Sequence, residues 1–374
     1  MKLQIIQSLE NVAPQEWNRL AGADPFLQYS FLHTLHETGC ASPETGWAPQ
    51  YLLLHDGEAL VGAMPLYLKG HSYGEYVFDW AWADAYHRHG IEYYPKLLSA
   101  IPFTPVVGNR LLALQPEFRD QLIVGALEFA RQTKTTSLHV LFPSTTDLEC
   151  LLGHGFLLRQ GHQFHWKNEN YANFDDFLAQ LSHDKRKKIR QERRKVREAG
   201  ICFEWLEGSS ISESHWEFFE RCYRQTYREH QSSPYLNLEF FRRIGATMPG
   251  NITLVCAIRE GNPVAASLLI HNDTHLYGRH WGAIEHHPLL HFEACYYQAI
   301  EYAIARGLQV FEGGAQGEHK MARGLMPVAT QSAHWLAHPE FAAAIENYLD
   351  RESTMMEQYG RELASHTPFK SGKK

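Results

Sequence analysis

The residues best suited to chemistry lie in one short stretch, Glu312-Gly-Gly-Ala-Gln-Gly-Glu-His-Lys320, followed by Arg323. A short apolar run, Leu308-Gln-Val-Phe311, leads straight into it. This predicts Glu312 at the end of a buried strand, with two glycines after it where a substrate backbone can approach closely. A carboxylate so placed suits a base or an amine-orienting group; it equally suits an acceptor for the N–H groups of its own loop. His319 has the ordinary pKa for proton transfer, and Lys320 has the charge to stabilise an oxyanion or a phosphate. Glu312, His319 and Lys320 are therefore the candidate catalytic residues. Gly313, Gly314 and Gly317 are suited to a backbone nest for a phosphate or carboxylate, or simply to a tight turn. With Gln316, Glu318 and Arg323 they form the candidate substrate-binding loop. Such a set fits amide formation, which needs a deprotonated amine, a stabilised oxyanion and a protonated leaving group.

A second group of candidates is electrostatic. Between Asp184 and Arg197 nine Lys or Arg stand against two acids, a net charge of +7 in a chain whose total is −7, so the remaining residues sum to −14. Ser182 is a predicted helix N-cap and Gly200 a predicted stop, and Leu181, Ile189 and Val196 supply one thin apolar stripe. The pattern predicts a cationic helix lying on a folded body. Lys185, Arg186, Lys188, Arg190, Arg193 and Arg194 are its candidate phosphate ligands, although a solvated helix that merely aids solubility has the same pattern. A sequence pI near 6.4 excludes a protein that coats nucleic acid generally, so any polyanion contact is local.

Elsewhere the signals are thinner. Pro102 and Pro105 stiffen the segment around Phe103 and Thr104, which suggests either a preformed wall aiming Lys96 and Arg110 at a ligand or a rigid connection between strands. His280, Trp281, Tyr296 and Tyr297 are candidates to line a cleft, or core aromatics. The 23 histidines raise the question of a metal, and His286, His287, His291 and Glu293 are the densest group. Pro288 is a predicted helix start that leaves His287 outside the helix body, no ligand set is completed, and no metal is expected. The six scattered cysteines form no Cys-x-x-Cys pair and read as reduced core residues.

These candidates must be held by elements that the sequence also suggests. At 374 residues two domains are expected. Tyr51 to Leu68 reads as two strands around an Asp56-Gly57 turn, and Thr253 to Ile270 repeats that form around Glu260-Gly261. Each is preceded by an aromatic-rich helical region, Trp17 to Glu37 and Trp216 to Ile244, so an internal duplication is predicted. In the second half a strand Leu276 to Ala283, a helix Leu289 to Arg306 and a strand Leu308 to Phe311 follow; the first half matches with a helix Leu122 to Gln132 and a strand Ser137 to Phe142. Helices alternating with strands of mixed sheets predict an α/β or α+β fold, with the site where strands end in loops. Residues 339–374 read as a helix and a polar tail, disordered from Thr367.

The basic Ser182-x-x-Lys-Arg-x-x-Ile-Arg helix, the Arg279-His-Trp-Gly-Ala strand, the long helix ending at Gly307 and the strand ending in Glu312-Gly-Gly together resemble the Fem-type transferases. Tyr93 to Pro105, ending in Gly108-Asn-Arg110, is similar to the Fem-like branch of peptidoglycan biosynthesis or recognition. The resemblance spans most of residues 20–335. It implies tandem GNAT-like acyl-CoA N-acyltransferase domains with mixed central sheets. The expected boundaries are 1–165, a linking segment 166–200 with the basic helix, 201–338, and a C-terminal helix and tail 339–374. It also implies transfer of an aminoacyl group from aminoacyl-tRNA, or of an acyl group from acyl-CoA, to an amine that in better-understood members belongs to a peptidoglycan precursor.

The expected function is thus N-acyl transfer by a soluble, cytoplasmic protein with no tightly bound cofactor. The donor is a phosphate-bearing co-substrate and the acceptor a small-molecule amine or cell-wall precursor. The rivals are a non-catalytic protein that recognises such a precursor or tRNA, and an RNA-binding accessory protein that uses the basic helix alone.

Overall fold

The computed structural model describes residues 1–315 and 317–370; Gln316, an expected substrate ligand, lies outside the described residues. Contacts divide the chain into two compact units, one of residues 1–161 and 329–358, the other of residues 162–328 and 359 onward. The division differs from the expected boundaries. The basic helix belongs to the body of the second unit because Ile189 and Val196 are both buried there in hydrophobic clusters. Residues 329–338 and most of the C-terminal helix return to the first unit.

In the first unit the order begins β1 (Lys2–Ile6), α1 (Pro14–Ala21), α2 (Tyr29–Glu37), β2 (Trp47–Pro49), β3 (Tyr51–Asp56), β4 (Ala59–Met64) and β5 (Tyr67–Lys69). It continues with α3 (Trp80–Arg88), β6 (Lys96–Ser99), β7 (Leu112–Ala113), α4 (Pro116–Gln132), β8 (Ser137–Leu141), α5 (Thr145–Gly153) and β9 (Leu157–Lys167), along which the chain enters the second unit. One sheet has the order β1-β3-β4-β7, and β2, β5, β6 and β8 lie side by side in another. The alternation of the hairpin strands puts Leu52, Leu54, Val61 and Met64 into a core with Leu122, Ile123 and Ala126 of α4.

The second unit continues with α6 (Phe174–Gln180), α7 (His183–Glu198), β10 (Ile201–Glu207), α8 (Glu213–Glu229), α9 (Leu238–Thr247), β11 (Ile252–Arg259), β12 (Asn262–His271) and β13 (His275–Ala283). Then come α10 (Leu290–Phe292), a π-helical turn Glu293–Tyr297, α11 (Gln298–Ala305), β14 (Val310–Glu312) and a 3₁₀ segment Glu318–Arg323. β15 (Met326–Leu336) and α12 (Pro339–Ser365) follow. The strand order is β10-β11-β12-β13-β14-β9, antiparallel except for β13 with β14.

The repeated order predicted from sequence is present. In each unit a strand and two helices precede a hairpin, and the leading strand pairs antiparallel with the first hairpin strand, β1 with β3 and β10 with β11. Both hairpins turn at the expected glycines, Gly57 and Gly261, each with positive φ. Each helical region ahead of a hairpin is two helices. Gly22 at φ +63 ends α1, and Asn237 starts α9 by accepting the N–H of Phe240. The predicted helix Leu289 to Arg306 is likewise interrupted by the π-turn, which widens one turn at Tyr296 and Tyr297. Ser182 stands at the start of α7 without a side-chain cap bond. Three residues of the tail are ordered against its start: Pro368 accepts from Ser182 N–H at 2.9 Å, Phe369 bridges to Leu181, and Lys370 donates to Gln180 at 2.9 Å. Of the cysteines, Cys202 is exposed rather than core.

Candidate functional site

The second unit has a fork in its sheet. β13 and β14 run parallel and pair at three positions, His275 with Val310, Leu276 with Phe311 and Tyr277 with Glu312. β13 then runs on to Ala283 while β14 stops and the chain turns away through Gly313 and Gly314. The two backbones touch where they part: a Cβ on Gly278 would sit 3.5 Å from the Glu312 carbonyl oxygen. Gly313 has no room for a side chain, since a Cβ there would meet Leu325 at 2.6 Å, and Gly314 adopts φ +86. The glycines after Glu312 are thus required by packing and by backbone conformation.

Phe311 enters the apolar core, so alternation turns Glu312 to the opposite face. There it is buried and lies 3.8 Å from Nε2 of His165 on β9. Sequence reasoning missed His165, which register pairs with Glu312 across nearly 150 residues of chain. Its signal was the alternation Gln163-Phe-His-Trp-Lys167, polar on one face and apolar on the other. Burial pushes the His165 imidazole down to about 4, with His275 and Lys320 adding to the effect, so it is neutral near pH 7. His165 also lines a cavity of about 990 Å³ with Lys167, Tyr171, Gln180, Met326 and Phe369.

The loop after the fork carries the other two candidates. Lys320 is buried, donates to the Gly314 carbonyl at 3.0 Å, and is pushed down to about 8 by that burial. His319 contacts the Tyr296 hydroxyl at 3.1 Å and is held below its ordinary value by burial, then by Arg323 and Lys320. Arg323 donates to the His319 carbonyl at 2.8 Å and to Glu192 at 3.1 Å, and its guanidinium stacks 3.5 Å over Phe292. Tyr297 donates its hydroxyl to the same Glu192. Arg323 and Tyr297 therefore tie the loop and the π-turn to α7. Tyr359 similarly occupies Glu318.

α7 has two faces. Ile189, Glu192 and Val196 are buried, and Arg193 turns inward to Glu293 and Glu301 at 3.0 and 2.6 Å. Arg193 is thus held by two carboxylates, while it also borders the groove formed by the outer face. On the other side Arg186, Lys187, Arg190, Arg194 and Arg197 line a groove of about 1060 Å³ with His183 and Phe174. Arg190 reaches Asp175 at 2.9 Å, while Lys188 is exposed and Lys185 half-buried outside that groove lining.

The remaining expectations meet different surroundings. In the first unit, Lys96 is enclosed with Ser72, Glu75 and Asp79, and Arg110 is enclosed by the carbonyls of Val106, Asn109 and Leu141, so neither is aimed at a ligand. In the second unit, His280 packs on Tyr223 and Phe241 and is held well below its ordinary value by burial. Trp281 meets His291 with ring centroids 5.3 Å apart. His287 pairs with Glu285, and among the described residues no group of three His, Cys, Asp or Glu is placed to hold a metal ion.

Three solved structures share the fold. The crystal structure of FemX superposes with a TM-score of 0.56 at 12% identity, covering 92% of this chain and 100% of that one. The L-PGS of Bacillus licheniformis gives 0.54 at 10% identity, covering 89% and 96%. The C-terminal domain of a protein from Agrobacterium fabrum, named as a candidate lysylphosphatidylglycerol synthetase, gives 0.55 at 9% identity, covering 91% and 96%. No curated protein matches the sequence. The FemAB-like model, described as peptidoglycan biosynthesis and recognition, matches residues 8–371. A match over nearly the whole chain, on a fold shared with FemX, makes this chain a member of the FemAB-like family.

Proposed function

We propose that the chain is an N-acyltransferase, moving an aminoacyl or acyl group from an activated, phosphate-bearing donor to an amine. The donor is an aminoacyl-tRNA or an acyl-CoA, and the acceptor amine belongs to a peptidoglycan precursor. The observation that carries this reading is the fork: two parallel strands part at Gly278 and Gly314, with a buried carboxylate, Glu312, and a buried amine, Lys320, beside the parting.

The amine nitrogen attacks the acyl carbon; the N–C bond forms and the ester C–O or thioester C–S bond breaks. Glu312 takes the proton lost by the amine, which keeps the nucleophile uncharged as it attacks. His165, neutral and 3.8 Å away, adds no positive charge of its own beside that carboxylate. Lys320, in its ammonium form, donates one hydrogen to Gly314 and has others for the developing oxyanion. The leaving oxygen or sulfur takes up a proton, for which the Tyr296 hydroxyl in contact with His319 is the candidate donor. The groove of α7 supplies positive charge for the donor's phosphates.

Family membership supports the cell-wall acceptor, and the shared fold of FemX and the lysylphosphatidylglycerol synthetase supports group transfer. The test is a transfer assay with labelled aminoacyl-tRNA and labelled acyl-CoA, each against peptidoglycan-precursor amines, with the product read by mass. A labelled amide formed from either donor upholds the reading. Tight precursor binding without transfer from either donor overturns it in favour of recognition.

A further inference from the structure

In the first unit, residues 70–82, the connection from β5 and the first turn of α3, have an inverted pattern. The acidic side chains point inward. Lys96, buried, binds Ser72 at 2.7 Å, Glu75 at 2.8 Å and Asp79, and Tyr93 donates to Asp79 at 2.6 Å. The large apolar side chains point outward: Tyr73 is 58% exposed, Phe78 51% and Trp80 43%. Glu75 and Asp79 are the segment's only charged residues; His71 is held below its ordinary value by partial burial and by Lys69. The exposed face of this segment therefore carries aromatic rings and no formal charge of its own near pH 7; the Asp84–Arg88 ion pair follows one turn further along α3.

The loop is also held in shape. Gly74, at φ +80, has no space for a side chain, because a Cβ would meet Phe103 at 2.6 Å, and Tyr76 adopts the left-handed region at φ 64, which costs a non-glycine residue free energy. Arg159 donates to the Phe78 carbonyl at 2.7 Å while paired with Glu352 at 2.8 Å. Folding alone would favour turning these rings inward. Strained backbone and a buried ionic cluster instead hold them in water, an arrangement that pre-organises a contact surface.

We propose that Tyr73, Phe78 and Trp80 form a docking surface for the interfacial layer of a lipid bilayer. Tyr and Trp rings sit favourably at headgroup depth, and an uncharged patch needs no counter-charge from its partner. A sugar is a poorer fit. The polar side chains Ser72, Glu75 and Asp79 are turned inward to Lys96, and Tyr73 and Trp80 meet at 61°, which makes no flat stacking platform. Among the described residues no helix is long and apolar enough to cross a membrane, so the contact is peripheral.

The test is sedimentation of the full chain with phosphatidylcholine vesicles at low and high salt, comparing wild type with a variant carrying Tyr73→Ser, Phe78→Ser and Trp80→Ser. The substituted side chains are exposed, so the fold is retained, which circular dichroism checks. Wild type is expected to bind with little salt dependence, and the partition coefficient to fall roughly tenfold or more per ring removed. Replacing Tyr73 and Phe78 with Trp is expected to keep binding. Failure of wild type to sediment with vesicles, equal binding by the serine variant, or a wild-type dimer in light scattering that the serine variant dissolves would each overturn the proposal.

Discussion

Arg323 and Glu192 meet at 3.1 Å inside the second unit, joining the loop that carries His319 and Lys320 to the cationic helix α7. Both side chains are nearly enclosed, and the Tyr297 hydroxyl shares the same carboxylate. The pair thus sets where the loop lies relative to the helix. It also explains why one acid sits in the middle of a basic run: Glu192, like Arg193, faces the body of the unit, while Lys187, Lys188, Arg190 and Arg194 are exposed.

Arg323→Met therefore leaves Glu192 buried with Tyr297 as its remaining side-chain partner among the described residues. The expected loss is about 3–5 kcal/mol in urea unfolding, the range for breaking a buried pair from one side. The double variant Arg323→Met with Glu192→Leu is expected to recover much of that loss, since the stranded charge is gone.

Along the groove of α7, Arg186→Ala, Lys187→Ala and Arg190→Ala together are expected to weaken donor binding and flatten its salt dependence while leaving the melting temperature within a few degrees of wild type. These side chains line the groove, whereas Ile189 and Val196 anchor the helix. Titration of tRNA and of CoA over a range of salt concentrations measures both quantities.

Much of this was legible in the sequence because it rests on local pattern. Gly57 and Gly261 marked their hairpins, the Ile189 and Val196 spacing marked the inner face of α7, and Glu312-Gly-Gly marked the end of a strand. What was not legible depends on distant partners. His165 acquires its place only when β9 pairs with β14. Arg193 looked like its neighbours until Glu293 and Glu301 came to it. Lys96 and Arg110 read as ligand cations because nothing local shows that Glu75 and Asp79, or a set of carbonyls, enclose them. The break at the π-turn leaves the spacing of apolar residues in its helix nearly unchanged, so periodicity did not reveal it.

Lys320 gives a pH dependence with a definite sign. Burial pulls its amine down to about 8, so the ammonium that stabilises the oxyanion is present below that value and is lost as pH rises through it. Turnover of wild type at saturating substrate is expected to fall above about pH 8, and Lys320→Arg, which stays charged, is expected to remove that limb even if its rate is lower. A profile that rises through the same range would assign Lys320 the role of base.

The central claim is that the amine loses its proton to Glu312 at the fork between β13 and β14. Its most direct test is the single-turnover rate of amide formation by wild type and Glu312→Gln, with donor affinity measured on the same samples. The Gln side chain keeps nearly the same shape and hydrogen-bonding reach but lacks the basic oxygen. The account predicts unchanged donor affinity and a rate lower by roughly a hundredfold to ten-thousandfold; a wild-type rate in Glu312→Gln would contradict it.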